Sequence, residues 1–242
     1  MKQKTNSFLR GFSAFLLLFG IFCGILTYLS PPPSIPTPVV KDPAERITTV
    51  VLDAGHGGED GGAVSACGLV EKEINLKITL LLKDMLTANG VNVVLTRETD
   101  TLLYDRNVDY HGRKKVLDLA ARKKIAEETE ESVFVSIHMN THPIVSCQGL
   151  QVWYSPNDLR SKILAETIQK TTHTLLQPQN DRTVKAANSS IYLLHKLNTP
   201  AILIECGFLS NPEEARKLGD EEYQKQLALS IFLSIMETDF SS

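Results

Sequence analysis

Residues 47–52, Ile-Thr-Thr-Val-Val-Leu, form a β-branched and aliphatic run that stops at Asp53 and opens into Ala-Gly-His-Gly-Gly at 54–58. Strand side chains alternate between two faces, so a strand rich in Val, Ile and Leu on both faces has to be covered on both, as in a helix-flanked α/β sheet. Gly55, Gly57 and Gly58 let the backbone turn sharply after the strand and leave one imidazole, His56, uncovered at its end. Two later segments repeat the pattern. Residues 132–137, Ser-Val-Phe-Val-Ser-Ile, run into His138-Met139-Asn140, and residues 201–204, Ala-Ile-Leu-Ile, run into Glu205-Cys206-Gly207.

Helical periodicity fills the intervals. Ile74, Ile78, Leu81, Leu82 and Met85 make one apolar stripe after Glu71, and Gly90 after Asn89 supplies a stop. A strand is expected over 91–96, with Arg97 to Asp100 a polar loop at its end. A helix is expected over 113–130 with Val116, Leu119, Ala120 and Ile125 facing inward, and a strand over 149–154. A helix follows over 158–176, a polar loop over 180–190 and a short strand over 191–194. Asn211-Pro212-Glu213-Glu214 has the order that helix capping prefers, and a last helix is expected over 220–237. The fold class is α/β: a single domain with a mostly parallel or mixed sheet and helices on both faces, preceded by an N-terminal membrane anchor.

That anchor is read from Lys2, Lys4 and Arg10, which precede an uncharged stretch at 11–30 dominated by Phe, Leu and Ile. The stretch approaches the roughly 20 residues that cross a bilayer and exceeds the roughly 7–15 of a signal-peptide core. The basic flank, residues 1–10, places that end in the cytoplasm and the remainder outside. Residues 31–44 begin Pro-Pro-Pro-Ser-Ile-Pro-Thr-Pro and form an extended spacer. The exported part, 45–242, holds Cys67, Cys147 and Cys206, an odd number that excludes a full disulfide framework and allows one bridge. A net charge of -3 with both signs interspersed gives no nucleic-acid surface. No phosphate-loop spacing of Gly and Lys follows the first strand.

Three strands thus end in His56, His138 and Glu205, and Glu71 opens the helix after the first of them. Taken singly, each has a structural explanation, since an acid in a first helical turn simply favours the helix dipole. Together at one rim of one sheet, two imidazoles and a carboxylate with one open position make a catalytic zinc site, and the remaining carboxylate a proton carrier. Spacing alone leaves open which carboxylate is which. His111, His142, His173 and His195 lack rim placement.

Asp53-Ala-Gly-His-Gly-Gly58, Glu71-Lys72 with Asn75-Leu76, Ser136-Ile-His-Met-Asn140 and Glu205-Cys-Gly-Phe-Leu-Ser-Asn211 together resemble the zinc-dependent N-acetylmuramoyl-L-alanine amidases of peptidoglycan, over residues 47–238. The resemblance implies one zinc ion on His56, Glu71 and His138, with Glu205 catalytic, and makes 45–242 the catalytic domain. Asn140 and Arg97 are placed on the substrate side. Residues 182–188 and 192–196 look most like the germination-specific amidase of endospore formers, which implies action on spore cortex before muramic δ-lactam formation. The implied location is membrane-anchored or secreted, on the extracytoplasmic side, in a spore former the forespore intermembrane space. Peptidoglycan is the implied partner, with an accessory activator open. Some members carry an inhibitory helix after the second histidine's strand; here only residues 141–148 lie there. The alternatives are a peptidoglycan-binding or scaffold protein without activity, and a zinc carboxypeptidase on stem peptides.

Overall fold

The computed structural model describes residues 49–105, 107 and 111–240. The expected anchor and spacer lie outside the described residues. Among those described, no helix is long and apolar enough to cross a membrane.

Six strands form one mixed sheet: β1 (Thr49–Ala54), β2 (Asn92–Leu95), β3 (Ser132–Asn140), β4 (Gln151–Tyr154), β5 (Lys185–Ala186) and β6 (Ala201–Phe208), in the order β2-β1-β3-β6-β4-β5. β2, β1, β3 and β6 run parallel, while β4 lies antiparallel to β6 and parallel to β5. The helices are α1 (Glu71–Ala88), α2 (Lys114–Glu128), α3 (Leu159–Leu175), α4 (Tyr192–Lys196), α5 (Pro212–Leu218) and α6 (Glu221–Glu237).

The alternation along β1 divides the core. Val50 and Leu52 share one cluster with Ile74, Ile78 and Leu82 of α1, Leu164 and Ile168 of α3, and Leu227 and Ile231 of α6. Val51 points the other way, into a cluster with Phe134, Ala126 of α2 and Leu193 and Leu194 of α4. The β1 run is therefore apolar throughout because it is covered on both faces, each large aliphatic contributing about 1.5–3 kcal/mol by leaving water. At the other end of the chain, Asn211 caps α5 as its residue order predicts, its side chain accepting from the amides of Glu213 and Glu214.

Three expectations need correction. Residues 191–194 do not form a strand. Ile191 precedes α4, whose Leu193 and Leu194, with Leu197, lie on one buried face; a short apolar run fits a strand and a helix face equally well. The loop over 180–190 contains β5 at the sheet edge. On α2 the inward face is polar: Asp118, Arg122 and Ala126 are buried, whereas Val116 is 61% exposed and Ala120 is exposed too. Leu119 and Ile125 pack at the margin of the second cluster, as expected.

The polar face of α2 has a partner. Asp53, at the end of β1 and 1% exposed, accepts from Arg122 Nη1 at 2.5 Å, Ser136 Oγ at 2.6 Å and Thr96 Oγ1 at 2.7 Å. Arg122 Nε in turn donates to Asp118 at 2.8 Å. Burial alone would raise the Asp53 pKa, but Arg122 and the two hydroxyls outweigh it and hold the carboxyl below its usual range.

A carboxyl depressed in the folded state stabilises the fold above its unfolded pKa of about 4 and loses that contribution as pH falls through the folded value. Asp53→Asn should cost about 3 kcal/mol at pH 7, the scale of breaking a buried pair, and flatten the loss of stability below pH 4. Urea unfolding of both proteins at pH 7 and pH 3 measures this; an equal stability gap at the two pH values would show that the charge on Asp53 is not the source.

Candidate metal centre

At the end of β1 the chain tightens. Gly55 N donates to Ile137 O of β3 at 3.1 Å, and His56 then adopts φ 63°, a left-handed conformation that few residues other than Gly adopt, Asn, Asp and His more often than the rest. The surroundings hold it there by its carbonyls. Arg122 donates to Ala54 O at 2.8 Å and to His56 O at 2.7 Å, while Arg97 donates to Ala54 O at 2.8 Å and Gly55 O at 3.0 Å. Lys72 closes the far side on Gly58 O at 2.7 Å.

Into this frame α1 delivers Glu71, 3% exposed. Its Oε1 accepts from Met139 N at 3.0 Å and lies 3.0 Å from His138 Nδ1 and 3.3 Å from His56 Nε2; its Oε2 accepts from Ala63 N at 2.8 Å. Asn75, one turn further along α1, donates to Oε1 at 3.3 Å and to Gly55 O at 3.1 Å. The two imidazoles stand edge to face with centroids 4.9 Å apart. The donor atoms of His56, Glu71 and His138 all lie within 4.8 Å of one another. Burial would raise the Glu71 pKa, but His138 and His56 overcome it and drive the carboxyl far below its usual range. Burial likewise disfavours charge on His56, yet Glu71 and Asp60 push its pKa up.

Glu205 sits beside this cluster, in register with His138 across β3 and β6. Its Oε2 is enclosed and has no hydrogen-bond partner, and burial pushes its pKa up to about 7. Two carboxylates close enough to feel each other's charge are thus held in opposite protonation tendencies.

The residues fit a zinc ion on three counts. Two imidazole nitrogens and a carboxylate oxygen converge, the donor set of an open catalytic site rather than a closed structural one. His56 Nδ1, on the far side of the ring, lies 2.9 Å from an Asp60 carboxylate oxygen, the kind of outer contact that fixes a ligating imidazole. Finally, glycines line the cluster closely: a Cβ on Gly55 would come within 2.2 Å of His138 Nε2, and one on Gly62 within 2.5 Å of Glu71 Oε2.

Asn140 lies two residues beyond His138 on β3, where the register slips so that it faces Phe208, and it is half-buried. Arg97, expected on the substrate side, is 3% exposed and donates to the carbonyls of Ala54, Gly55, Lys72 and Thr99, bracing the His56 loop from within. A polar loop read at the strand end gave no sign that this side chain turns inward. Of the other histidines, His142 contacts Cys147 Sγ at 3.3 Å and His173 contacts Asn180 O at 3.1 Å, both apart from the cluster. Cys67, Cys147 and Cys206 are free, so the one bridge that their number allowed is absent among the described residues, and Cys206 is buried. Asp60 has one sequence signal, its spacing of four from His56, and Arg122 has none.

A family profile described as N-acetylmuramoyl-L-alanine amidase matches residues 50–237. The chain belongs to the N-acetylmuramoyl-L-alanine amidase family. Among curated relatives, the germination-specific N-acetylmuramoyl-L-alanine amidase of Bacillus subtilis is 37% identical over 187 residues, covering 77% of this chain and 78% of its own. Among solved structures, the CwlD amidase of Clostridioides difficile, determined in complex with the GerS lipoprotein, matches with TM-score 0.75 and 40% identity over 79% of this chain and 98% of its own. The amidase AmiC2 of Nostoc punctiforme matches with TM-score 0.65 and 33% identity over 78% and 95%.

For this amidase the glycine cradle gives a direct test. Gly55→Ala should displace the His138 ring and reduce zinc bound per chain well below one, while far-ultraviolet circular dichroism stays unchanged, because the added methyl meets a side chain at the rim and not the sheet core. Full zinc occupancy in that variant would show that His138 is not held where metal binding needs it.

Proposed function

We propose that the domain hydrolyses the amide between the lactyl group of N-acetylmuramic acid and L-alanine of the peptidoglycan stem, using one zinc ion held by His56, Glu71 and His138. The observation that carries this reading is the convergence of those three donors beside a carboxylate, Glu205, with an enclosed and unpartnered oxygen. Zinc, when bound, supplies Lewis acidity toward the amide carbonyl and makes solvent more acidic. Glu205 takes one proton from the attacking solvent molecule as the carbon–oxygen bond forms. It then delivers that proton to the alanine nitrogen as the carbon–nitrogen bond breaks, so the peptide leaves as an amine. Burial favours the first half of this exchange, since a raised pKa makes the carboxylate a stronger base toward the solvent proton.

The biological setting is proposed on sequence likeness: spore cortex, before muramic δ-lactam formation, supported by the germination-specific relative. Residues 11–30 anchor the protein, residues 31–44 space the domain from the membrane, and catalysis takes place on the extracytoplasmic side. The lipoprotein bound to the Clostridioides relative supports an accessory protein as a partner here. A non-catalytic scaffold role is disfavoured by retention of all four site residues.

Glu205→Gln should keep bound zinc and lower turnover toward the upper end of about 10²–10⁴-fold, because the group serves both attack and departure. Alanine at His56, Glu71 or His138 should instead remove most zinc. Zinc stoichiometry and peptide release from muropeptides, measured on the same preparations, separate the roles: zinc lost with Glu205 would make it a ligand, and stem peptides shortened at their carboxyl end would make the enzyme a carboxypeptidase.

A second expectation concerns the N-terminal segment. Full-length protein should sediment with membranes, and a chain lacking residues 1–40 should be soluble and folded. A soluble mature form beginning near residue 31 would show that the segment is a cleaved signal.

A further inference from the structure

His138, Glu205 and Gln151 occupy one row across the sheet: His138 is in register with Glu205, and Glu205 with Gln151. Side chains in register on neighbouring strands share a face. Gln151 is 2% exposed, and both ends of its amide are used: Nε2 donates to Thr183 O, and Oε1 accepts from Arg182 Nη1 at 3.4 Å. The row therefore ends on a guanidinium.

The direct contacts of Arg182 are to neutral groups, and the buried Glu214 carboxylate acts on it only from beyond ion-pair distance. Arg182 Nε donates to Gln148 O at 2.7 Å, and its Cζ lies 4.6 Å from the centroid of the Phe208 ring, three residues after Glu205. Among the described residues no carboxylate forms an ion pair with it, and Nη2 takes no hydrogen bond. Asp181, adjacent in sequence, is exposed and does not pair with it. The side chain is half-buried and borders an open depression lined by Ser146, Cys147, Gln148, Gln179, Asn180 and the exposed Asp181. An arginine oriented by an amide, a carbonyl and an aromatic ring, with one amino group outward, presents the planar fork that suits a carboxylate. Solvation of an idle surface charge does not need a buried glutamine to aim it.

We propose that Arg182 is a specificity-determining residue that binds a free carboxylate of the stem peptide. This rests on the substrate class proposed above. The backbone of the loop bearing Arg182 lies about two strand spacings from β6, on the order of 10 Å, and its guanidinium reaches back over Phe208 of that strand, so an extended peptide covers the span from Glu205 in at most about three residues. The recognised group is thus a carboxylate one to three residues beyond the L-alanine. The enzyme then prefers acidic stems to stems whose carboxylates are amidated.

The test uses full-length protein carrying Glu205→Gln, so that ligand is not consumed. A soluble N-acetylmuramoyl peptide is titrated in two forms, with its stem carboxylates free or converted to carboxamides, against Arg182 protein and Arg182→Gln. The free acid should bind about 10- to 100-fold more tightly to Arg182 protein, the effect of one charge-assisted contact at a half-exposed site, and Arg182→Gln should abolish the preference. Arg182→Lys, which keeps the charge without the fork, should retain part of it. Equal binding of the two forms by Arg182 protein, binding of neither, or a preference that survives Arg182→Gln would each overturn the assignment. The ligand comparison on Arg182 protein decides even if a variant misfolds. Failure of the hydrolytic reading shows separately, as no peptide released from either form by the Glu205 enzyme.

Discussion

The geometry of the rim depends on a buried guanidinium. Arg122 rises from α2 into the space beneath the His56 loop and is 2% exposed, a position that would cost several kcal/mol for an unpaired ion. Burial works against its charge, but Asp53 and Asp118 raise its pKa further, so it stays fully ionised. Its remaining donors reach the carbonyl of His56 and, together with Arg97, that of Ala54, where β1 ends at the sheet rim. One ion pair thus satisfies the end of a strand, fastens a helix to it and fixes the backbone of a residue whose φ of 63° is unfavourable on its own. Arg97 does the same from the α1 side, through Gly55 and Lys72.

This frame explains why two chemically identical groups behave differently. Glu71 enters from a helix start into a ring of donors, two backbone amides, an amide side chain and two imidazoles, and every contact favours its ionised form. Glu205 comes from a strand covered on both faces and has an enclosed oxygen without a partner, so burial dominates and favours the neutral form. Environments that push like groups apart mark an assignment of labour between holding charge and moving protons. The strands set the positions, since His138 and Glu205 are in register, but the protonation tendencies come from what surrounds each carboxyl.

Sequence patterns carried the strands, the larger helices and the four rim residues because each is a local signal: an uninterrupted apolar run, a period near 3.6, or a polar residue where such a run stops. They failed where a side chain's partner is distant in the chain. Apolar periodicity points Val116 and Ala120 inward along with Leu119 and Ile125, yet the buried face of α2 carries Asp118 and Arg122, and Arg122 pairs with Asp53, 69 residues away. Arg97 was read as an open loop residue for the same reason, its acceptors being more than 40 positions distant in the case of Ala54 and Gly55. Residues 191–194 failed differently. Their run is too short for period to discriminate, and only the second core cluster selects the helix.

A rim built in this way needs little from the loops above it. The connection from β3 to β4 is short, and its polar contacts, His142 to Ser210 and Asn211 to the Cys147 carbonyl, tie it to the start of α5 at its own edge of the sheet. Positioning instead comes from below and from the side, through Arg122, Arg97 and Asn75 beneath the histidines and through Gln151 beyond Glu205. Gln151 is the hinge between the two halves of the rim, because β4 reverses direction at that point and brings the loop bearing Arg182 to the same end of the sheet as the C-termini of β1, β3 and β6. The reversed pair β4 and β5 beside four parallel strands therefore has a consequence for recognition: it sets a guanidinium in line with the reacting groups, where strands parallel to β6 would have carried that loop to the opposite end of the sheet.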